Sequence, residues 1–225
     1  MARRLMDPYW NWEGRRDARR LQGRLPELAR KELLTEAAGR LRPAFDEYVT
    51  VFSVAGAAVS LETSALATVL CEIIRPRRVL DLGSGFSSYV FRRYAAAARP
   101  EAEVWSIDDS SFWLEKTREF LDSRGLSAEN LLLWDSFSSQ DNGAFDLILV
   151  DIGDFEFRSA NIDKALALGS PSAVVILDDM HKPWYRASVA KALQRSRRDS
   201  DRRYEFYSAR SMTKDQFGRY AAVLL

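Results

Sequence analysis

The sequence predicts an α/β fold: a doubly wound sheet of about seven strands, mostly parallel, with helices on both faces. Short apolar runs typical of buried strands alternate with helical patterns from residue 78 onwards. Two further strand-like runs, at 204–209 and 220–225, predict an antiparallel strand near the C-terminus. An N-terminal helical extension precedes the alternating region, and 225 residues suffice for one domain with such an elaboration.

The N-terminal extension covers residues 1–59, where proline and glycine set the expected element boundaries. Its predicted elements are an irregular arm at 1–14, a helix at 15–41 broken near Pro26, a helix starting at Pro43 and ending at 52, and a small-residue loop at 55–60. A third helix, at 62–74, precedes the first strand and stops before Pro76.

The alternating region follows in order. Its predicted strands lie at 78–82, 103–108, 130–134, 145–151 and 173–178, and its helices at 86–98, 111–124, 158–168 and 183–198. Strands separated by helices of this length form parallel sheets that are covered on both faces.

Composition excludes several classes of protein. The net charge of +1 gives no global reason to expect nucleic acid or membrane binding. The basic residues between 195 and 203 would favour RNA, but acids nearby offset them, so nucleic acid is not an expected partner. The single cysteine, Cys71, excludes an intramolecular disulfide and a thiolate metal site. Without a signal-peptide pattern or a stretch of roughly 20 apolar residues, a cytoplasmic protein with no membrane partner is expected.

The stretch 78–88, Arg-Val-Leu-Asp-Leu-Gly-Ser-Gly-Phe-Ser-Ser, predicts a strand, a glycine turn and a helix start. A dinucleotide fingerprint would carry a third glycine at position 88, where this chain has serine. Asp-x-Gly-x-Gly after an apolar strand instead resembles motif I of the class I S-adenosylmethionine-dependent methyltransferases, whose domain is Rossmann-like. The resemblance covers about residues 60–225 and implies S-adenosylmethionine as cofactor. It implies that the turn, with Gly83, Ser84, Gly85 and Ser87, faces the methionine part and that Asp81 helps to hold its amino end.

Aspartates end five successive predicted strands. They are Asp81, Asp108, Asp135, Asp151 and the pair Asp178 and Asp179. Parallel strands end at one edge of the sheet, so these carboxylates are expected to lie near one another. Two carboxylates ~4 Å apart at an effective dielectric of ~20 repel by about 4 kcal/mol. Positive or hydrogen-bond-donating groups are therefore expected beside them.

The acids after the second and third strands suit the nucleoside part of the cofactor. A carboxylate accepts two hydrogen bonds at once, which fits Asp108 to the ribose hydroxyls, with Asp109 as the alternative. The resemblance implies that Asp135 accepts a hydrogen bond from the adenine amino group and that the Ser136 backbone contacts the ring. Phe112, Trp113 and Trp134 are candidates either for stacking on adenine or for core packing.

The hydroxyl residues at the start of the helix at 62–74 have two interpretations. In similar methyltransferases a helix before motif I closes over the cofactor, which implies that Thr63 or Ser64 donates a hydrogen bond to its carboxylate. The alternative is that a hydroxyl in this stretch caps the helix.

The acids after strands four and five predict a metal site. Asp151, Asp178 and Asp179 are three converging carboxylates without thiols, which suits Mg²⁺. The arrangement resembles metal-dependent small-molecule O-methyltransferases of the catechol and macrolide or sugar types. The sugar and macrolide type often has Asp-Gly-Asp after strand four. Here Ile and Gly separate Asp151 from Asp154, which leaves open which of the two binds the metal. In the metal-free alternative, Asp179 caps a turn and Asp178 faces solvent.

The expected activity is transfer of a methyl group to a hydroxyl of a small molecule: a natural product, a sugar or a phenol. A bound metal lowers the pKa of the hydroxyl, and a base removes its proton. His181, the only histidine, is the first candidate base and Asp154 the second. The resemblance implies that residues 1–59 cap the acceptor pocket or build a homodimer contact. The alternatives are a metal-independent methyltransferase acting on protein or RNA, and a non-catalytic S-adenosylmethionine-binding protein.

Overall fold

A computed structural model describes residues 2–98, 100–138, 144–199 and 203–225. Seven strands in these ranges form one sheet. They are β1 (Arg78–Leu82), β2 (Glu103–Asp108), β3 (Leu131–Leu133), β4 (Phe145–Val150), β5 (Gly169–Leu177), β6 (Phe206–Ser208) and β7 (Ala222–Leu224). Their spatial order is β3-β2-β1-β4-β5-β7-β6, and only β7 runs antiparallel to both of its neighbours. The predicted α/β class, the mostly parallel sheet and its antiparallel strand are confirmed.

Helices cover both faces of the sheet. They are α1 (Ala2–Arg24), α2 (Lys31–Glu47), α3 (Leu61–Ile74), α4 (Phe86–Ala98), α5 (Ser111–Ser123), α6 (Trp134–Ser138), α7 (Phe155–Ala167), α8 (Pro183–Asp199) and α9 (Arg210–Thr213). Alternate strand residues point to opposite faces, so Val79 packs with α3 and α4 while Leu80 packs with α7 and α8. Two apolar cores result, one on each face.

The N-terminal extension differs from the prediction. The stretch 1–14 was expected to be irregular, but helix α1 runs through it from Ala2. Contacts with the end of the chain hold this helix: Ser208 N donates to Asp17 Oδ2 (3.1 Å) and Ser211 Oγ donates to the Gly14 carbonyl (3.2 Å). Tertiary packing thus outweighs local propensity.

Proline has a different effect at each of two positions in the extension. The predicted break near Pro26 is present, as a 3₁₀ turn at Pro26–Ala29. Pro43, in contrast, lies inside α2 and does not start a helix as predicted. Helix α2 continues into a π-helical turn, Tyr48–Phe52.

The carboxyl ends of the central strands lie side by side. Leu82 is paired with Ile107 and with Val150, and Val150 with Leu177. Backbone hydrogen bonds continue one residue further, because Gly83 N donates to the Ile107 carbonyl (2.8 Å) and Asp151 N to the Leu82 carbonyl (2.6 Å). The residues that follow these strands are therefore brought to one edge of the sheet.

Two features bear on partners. None of the helices in the described ranges has the length and apolar character that crossing a membrane requires. The basic stretch at 195–203 lies partly outside the described residues, since 200–202 are not among them.

Candidate active site

A cavity of about 450 Å³ opens at the carboxyl edge of the sheet. Its size falls within the range of small-molecule sites. Residues at the ends of β1 and β2 form one side, called here the β1–β2 half: Gly83, Ser84, Gly85, Phe86, Ser87, Asp108, Asp109, Ser110 and Trp113. Residues after β4 and β5, with two arginines, form the β4–β5 half: Asp151, Gly153, Asp154, Arg158, Asp179 and Arg219. Tyr48 and the loop around residues 53–59 complete the wall.

The glycine turn lies where the sequence predicts it, but the protein itself requires its first glycine. A Cβ at Gly83 would lie 2.6 Å from the carbonyl carbon of Asp151, and its φ of +109° disfavours any other residue. A Cβ at Gly85 would lie 3.0 Å from the Tyr48 hydroxyl. Close packing against the β4 loop and against Tyr48 therefore already accounts for both glycines.

Asp108 receives hydrogen bonds from its own surroundings. Its Oδ2 accepts from Ser84 N (2.7 Å) and Ser84 Oγ (2.9 Å), and its Oδ1 accepts from Ser110 N (3.0 Å). Burial raises the pKa of Asp108 to about 6, although these hydrogen bonds oppose the shift. Asp109 is exposed at the cavity wall. Both candidate ribose acids thus border the cavity, and Asp108 is held in place by neutral donors.

Asp81 lies behind the turn and is not among the described residues that line the cavity. Its Oδ2 accepts hydrogen bonds from Ser88 Oγ (2.5 Å) and Ser106 Oγ (3.0 Å), which ties β1 to α4 and β2. Burial raises the pKa of Asp81 to about 6, while hydrogen bonds from serine hydroxyls and the positive charge of Arg92 lower it.

Arg158 joins two of the acids predicted to bind metal. Its Nη2 atom is 2.8 Å from Asp151 Oδ1, and its Nη1 atom is 3.2 Å from Asp179 Oδ2. Only 8% of the Arg158 side chain is exposed. Burial raises the pKa of Asp151 well above its ordinary value; Arg158 opposes this shift, and Asp178 and Asp179 add to it. The expected positive group beside the strand-end carboxylates is therefore present.

The loop between Asp151 and Asp154 wraps around the same guanidinium. Arg158 Nε donates to the Ile152 carbonyl (3.0 Å) and Nη2 to the Gly153 carbonyl (3.2 Å). Asp154 caps α7, because its Oδ1 accepts from Phe157 N (2.8 Å). The two residues between the aspartates thus supply carbonyl acceptors to an arginine.

Asp178 and His181 lie behind the cavity wall, and neither is among the described residues that line it. Asp178 is buried; Thr63 Oγ1 donates to its Oδ1 over 3.4 Å, and burial raises the pKa of Asp178 to about 6. His181 Nδ1 is 3.4 Å from Asp179 Oδ1, an ion-pair distance without hydrogen-bond geometry. Burial lowers the pKa of His181, although Asp179 opposes the shift.

Thr63 and Ser64, at the start of α3, are both buried, and neither is among the described residues that line the cavity. Ser60 caps the helix, since its Oγ accepts from Thr63 N (3.0 Å). Within the described part of the chain, no hydrogen-bond partner reaches Ser64 Oγ. The alternative that a hydroxyl caps this helix is therefore realised by Ser60, and a cofactor contact from Thr63 or Ser64 stays a prediction.

The residues expected around adenine separate in the structure. The predicted strand at 130–134 ends at Leu133, and Asp135 and Ser136 lie exposed in α6, outside the described cavity lining. Trp134 is buried in the core against Phe157. Of the aromatic candidates, Trp113 lines the cavity. The predicted adenine contacts of Asp135 and Ser136 stay predictions.

Sequence reasoning missed several residues of the cavity wall, among them Arg158, Arg219 and Tyr48. Arg158 is near the start of α7, four residues after the capping residue Asp154. This closeness to an aspartate is the one feature of the sequence that could have marked Arg158 as a site residue. Arg219 donates to the carbonyls of Ala55 (3.0 Å), Gly56 (3.0 Å) and Ala58 (3.0 Å), which fixes the loop over the cavity. Tyr48 reaches Gly85 from the π-helical turn. Neither Arg219 nor Tyr48 has a local pattern that marks it.

The predicted magnesium site does not form as expected. Within the described ranges, no group of three or more His, Cys, Asp or Glu residues is arranged to hold a metal ion. Asp151 and Asp179 are paired with Arg158, and Asp178 receives the Thr63 hydroxyl. The alternative in which Asp178 faces solvent is also wrong, because Asp178 is buried.

Solved methyltransferase structures share this fold. The chain is similar to the cofactor-bound protein Rv0187 from MTB, with 22% identity over 81% of this chain and 89% of the other and a TM-score of 0.61. It is similar to the O-methyltransferase TomG from Streptomyces achromogenes, in complex with SAM, with 22% identity, coverage of 86% and 88%, and a TM-score of 0.58. An O-methyltransferase from Bacillus cereus in complex with SAH gives 18% identity, coverage of 81% and 89%, and a TM-score of 0.62.

These similarities define the class of fold as the Rossmann-like fold of methyltransferases. No protein-family model matches the chain, and no curated protein matches it either.

Proposed function

We propose that the protein is an S-adenosylmethionine-dependent methyltransferase that methylates a hydroxyl of a small molecule. One observation carries this proposal. A single cavity joins the glycine turn and Asp108 after β1 and β2 to Asp151 and Asp179 after β4 and β5. A cofactor and an acceptor bound in these two halves would lie next to each other.

The charge of the cavity supports this cofactor. Its lining includes the carboxylates of Asp108, Asp109, Asp151, Asp154 and Asp179, and two guanidinium groups. Such a wall attracts a ligand with a sulfonium and an ammonium group, and it repels the phosphates of a dinucleotide. Asp108 would hold the ribose and Trp113 would contact the adenine, both as proposals.

The chemistry requires a base. The cofactor would supply an electrophilic methyl group on a sulfonium sulfur. The acceptor hydroxyl must lose its proton as its oxygen bonds to that methyl group, and a carboxylate at the wall can accept the proton. Asp154 is the predicted base that lines the cavity. His181 would act through Asp179, which lies 3.4 Å from it.

Proteins of this fold do not all share one acceptor. One similar structure, from Geobacter metallireducens, is named a precorrin-6y C5,15-methyltransferase, with 16% identity and a TM-score of 0.55. The hydroxyl acceptor therefore rests on the predicted resemblance and on the names of TomG and the Bacillus cereus protein. The divalent metal of the sequence prediction has no part in this proposal, because Arg158 pairs with two of the carboxylates that would bind it, Asp151 and Asp179.

Calorimetry with S-adenosylhomocysteine tests the proposal. One molecule is expected to bind per chain, and Asp108→Asn is expected to weaken binding by about 10- to 150-fold, because a hydrogen bond to a charged acceptor contributes about 1.5–3 kcal/mol. Asp163→Asn, at an exposed ion pair on α7, is the matched control with unchanged affinity. A wild-type chain that binds NAD but no S-adenosylhomocysteine would overturn the proposal. Assays of methyl transfer to phenols, sugars and macrocycles would then identify the acceptor.

A further inference from the structure

We propose that Arg158 is the resident cation between Asp151 and Asp179, in the position that the sequence predicts for a divalent metal ion. Its role in methyl transfer rests on the proposed function, but its occupation of the site does not. As a positioning residue, Arg158 would hold the Asp151 and Asp179 carboxylates at the cavity wall and balance their charge.

The contacts of the guanidinium are the first argument. Each of its three nitrogen atoms has an acceptor: Nε has the Ile152 carbonyl, Nη1 has Asp179, and Nη2 has Asp151 and the Gly153 carbonyl. The side chain is 8% exposed, and its guanidinium carbon lies 5.1 Å from the centre of the Phe155 ring. A guanidinium with acceptors at all three nitrogen atoms is held in one position and belongs to the structure of the site.

The backbone on both sides is shaped to meet this group. Gly153 has a φ of +59°, which turns the loop after β4 so that two successive carbonyls reach Arg158. Asp179 also has a positive φ, +58°, which is uncommon for a residue other than glycine. Both unusual conformations occur in residues that contact the guanidinium.

The carboxylates that a metal would need are engaged elsewhere. Asp151 and Asp179 each give an oxygen to Arg158. Asp154 Oδ1 caps α7 through Phe157 N. Mg²⁺ demands near-octahedral oxygen ligands, so it would have to displace the guanidinium and then lie beside its positive charge. The residues present therefore fit an arginine and do not fit a divalent ion.

Removing Arg158 should uncover the metal site that its charge excludes. Equilibrium dialysis against Mn²⁺ at about 1 mM measures directly whether a metal site is uncovered. The wild-type chain and Arg158→Lys, which keeps the charge, are expected to bind no Mn²⁺ at this site. At the same concentration Arg158→Ala is expected to bind about one Mn²⁺ per chain and to gain thermal stability when Mn²⁺ is added.

Two controls make the result specific. Adding Asp151→Asn to Arg158→Ala should abolish the gain, because a ligand is lost. Arg195→Ala removes an exposed arginine that, like Arg158, pairs with an aspartate (Asp163), and this variant should bind no Mn²⁺. If Arg158→Ala does not fold, Arg158→Gln removes the charge but keeps donors to the loop carbonyls, and it is measured in its place.

The proposal is overturned by a wild-type chain that binds one Mn²⁺ with an affinity reduced by Asp151→Asn. It is equally overturned if neither Arg158→Ala nor Arg158→Gln gains Mn²⁺. Calorimetry with S-adenosylhomocysteine on the same preparations separates this outcome from failure of the proposed function. A chain that gains Mn²⁺ on loss of Arg158 but never binds S-adenosylhomocysteine would retain the arginine assignment and lose the methyltransferase function.

Discussion

The two halves of the cavity hold their carboxylates by different means. In the β1–β2 half, the Ser84 hydroxyl and the backbone N–H groups of Ser84 and Ser110 donate to Asp108. In the β4–β5 half, Arg158 pairs with Asp151 and Asp179. Hydroxyl donors can be exchanged for those of a ligand at little cost, whereas a buried ion pair cannot be opened by a neutral ligand. The first half is therefore suited to binding a polyhydroxyl ligand and the second to holding its own charges in place.

Removing the Arg158 guanidinium should destabilise the β4–β5 half. Arg158→Ala is expected to lower the free energy of unfolding by about 3–5 kcal/mol, because two largely buried carboxylates lose their counter-ion. Urea denaturation measures this loss. Arg195→Ala, whose pair with Asp163 is exposed, should cost about 1 kcal/mol or less. Equal losses in the two variants would contradict the role given to the buried arginine.

Gly83 is the point at which the two halves touch. Gly83→Ala is expected to lower the free energy of unfolding by about 3 kcal/mol, since it adds a steric clash with the Asp151 backbone to an unfavourable φ. Gly125→Ala is a matched control, because Gly125 also has a positive φ but has nothing within 4 Å of an added Cβ. In Gly125→Ala, backbone strain alone should lower the free energy of unfolding by about 1 kcal/mol. A Gly83→Ala chain as stable as Gly125→Ala would exclude the contact.

Burial of Asp81 behind the glycine turn should make the stability of the protein depend on pH. Its pKa is about 6 in the folded chain, raised by burial, against about 3.9 when unfolded. A raised acid pKa contributes stability that is complete below the unfolded pKa and is lost as the pH rises through the folded one. The free energy of unfolding of wild type should therefore fall by about 2–3 kcal/mol between pH 4 and pH 6.5 through this group.

Asparagine at position 81 cannot titrate, so the difference between Asp81→Asn and wild type isolates the effect. This difference in the free energy of unfolding should rise in favour of the variant from pH 4 to pH 6.5 and then stay level. Urea denaturation at four pH values measures it. A difference that is constant over this range would mean that Asp81 does not carry a raised pKa.

The loop over the cavity should show the smallest effect. Arg219→Ala removes the hydrogen bonds to three loop carbonyls and the 2.7 Å ion pair with Asp215, and it is expected to cost about 1–2 kcal/mol. Cleavage within residues 53–59 should become faster in limited proteolysis. Arg40→Ala, at an exposed pair with Glu72, should leave that cleavage rate unchanged. Unchanged cleavage in Arg219→Ala would show that other contacts hold the loop.

Sequence alone determined the fold class and the edge at which the cavity opens. Strand and helix periodicity is local, and the Asp-x-Gly-x-Gly turn and the strand-end acids are short patterns, so all are readable without the tertiary structure. The same reasoning predicted that positive or donating groups must accompany those acids, since like charges repel. It did not predict which groups these are.

Only the tertiary structure decided how each carboxylate is balanced. Arg158 contacts Asp179 from 21 residues away in the chain, and Arg219 reaches carbonyls about 160 residues away. No local pattern encodes such contacts, because they depend on how the helices pack against the sheet. The part of α1 within residues 1–14, predicted as an irregular arm, was missed for the same reason, since its contacts come from the far end of the chain.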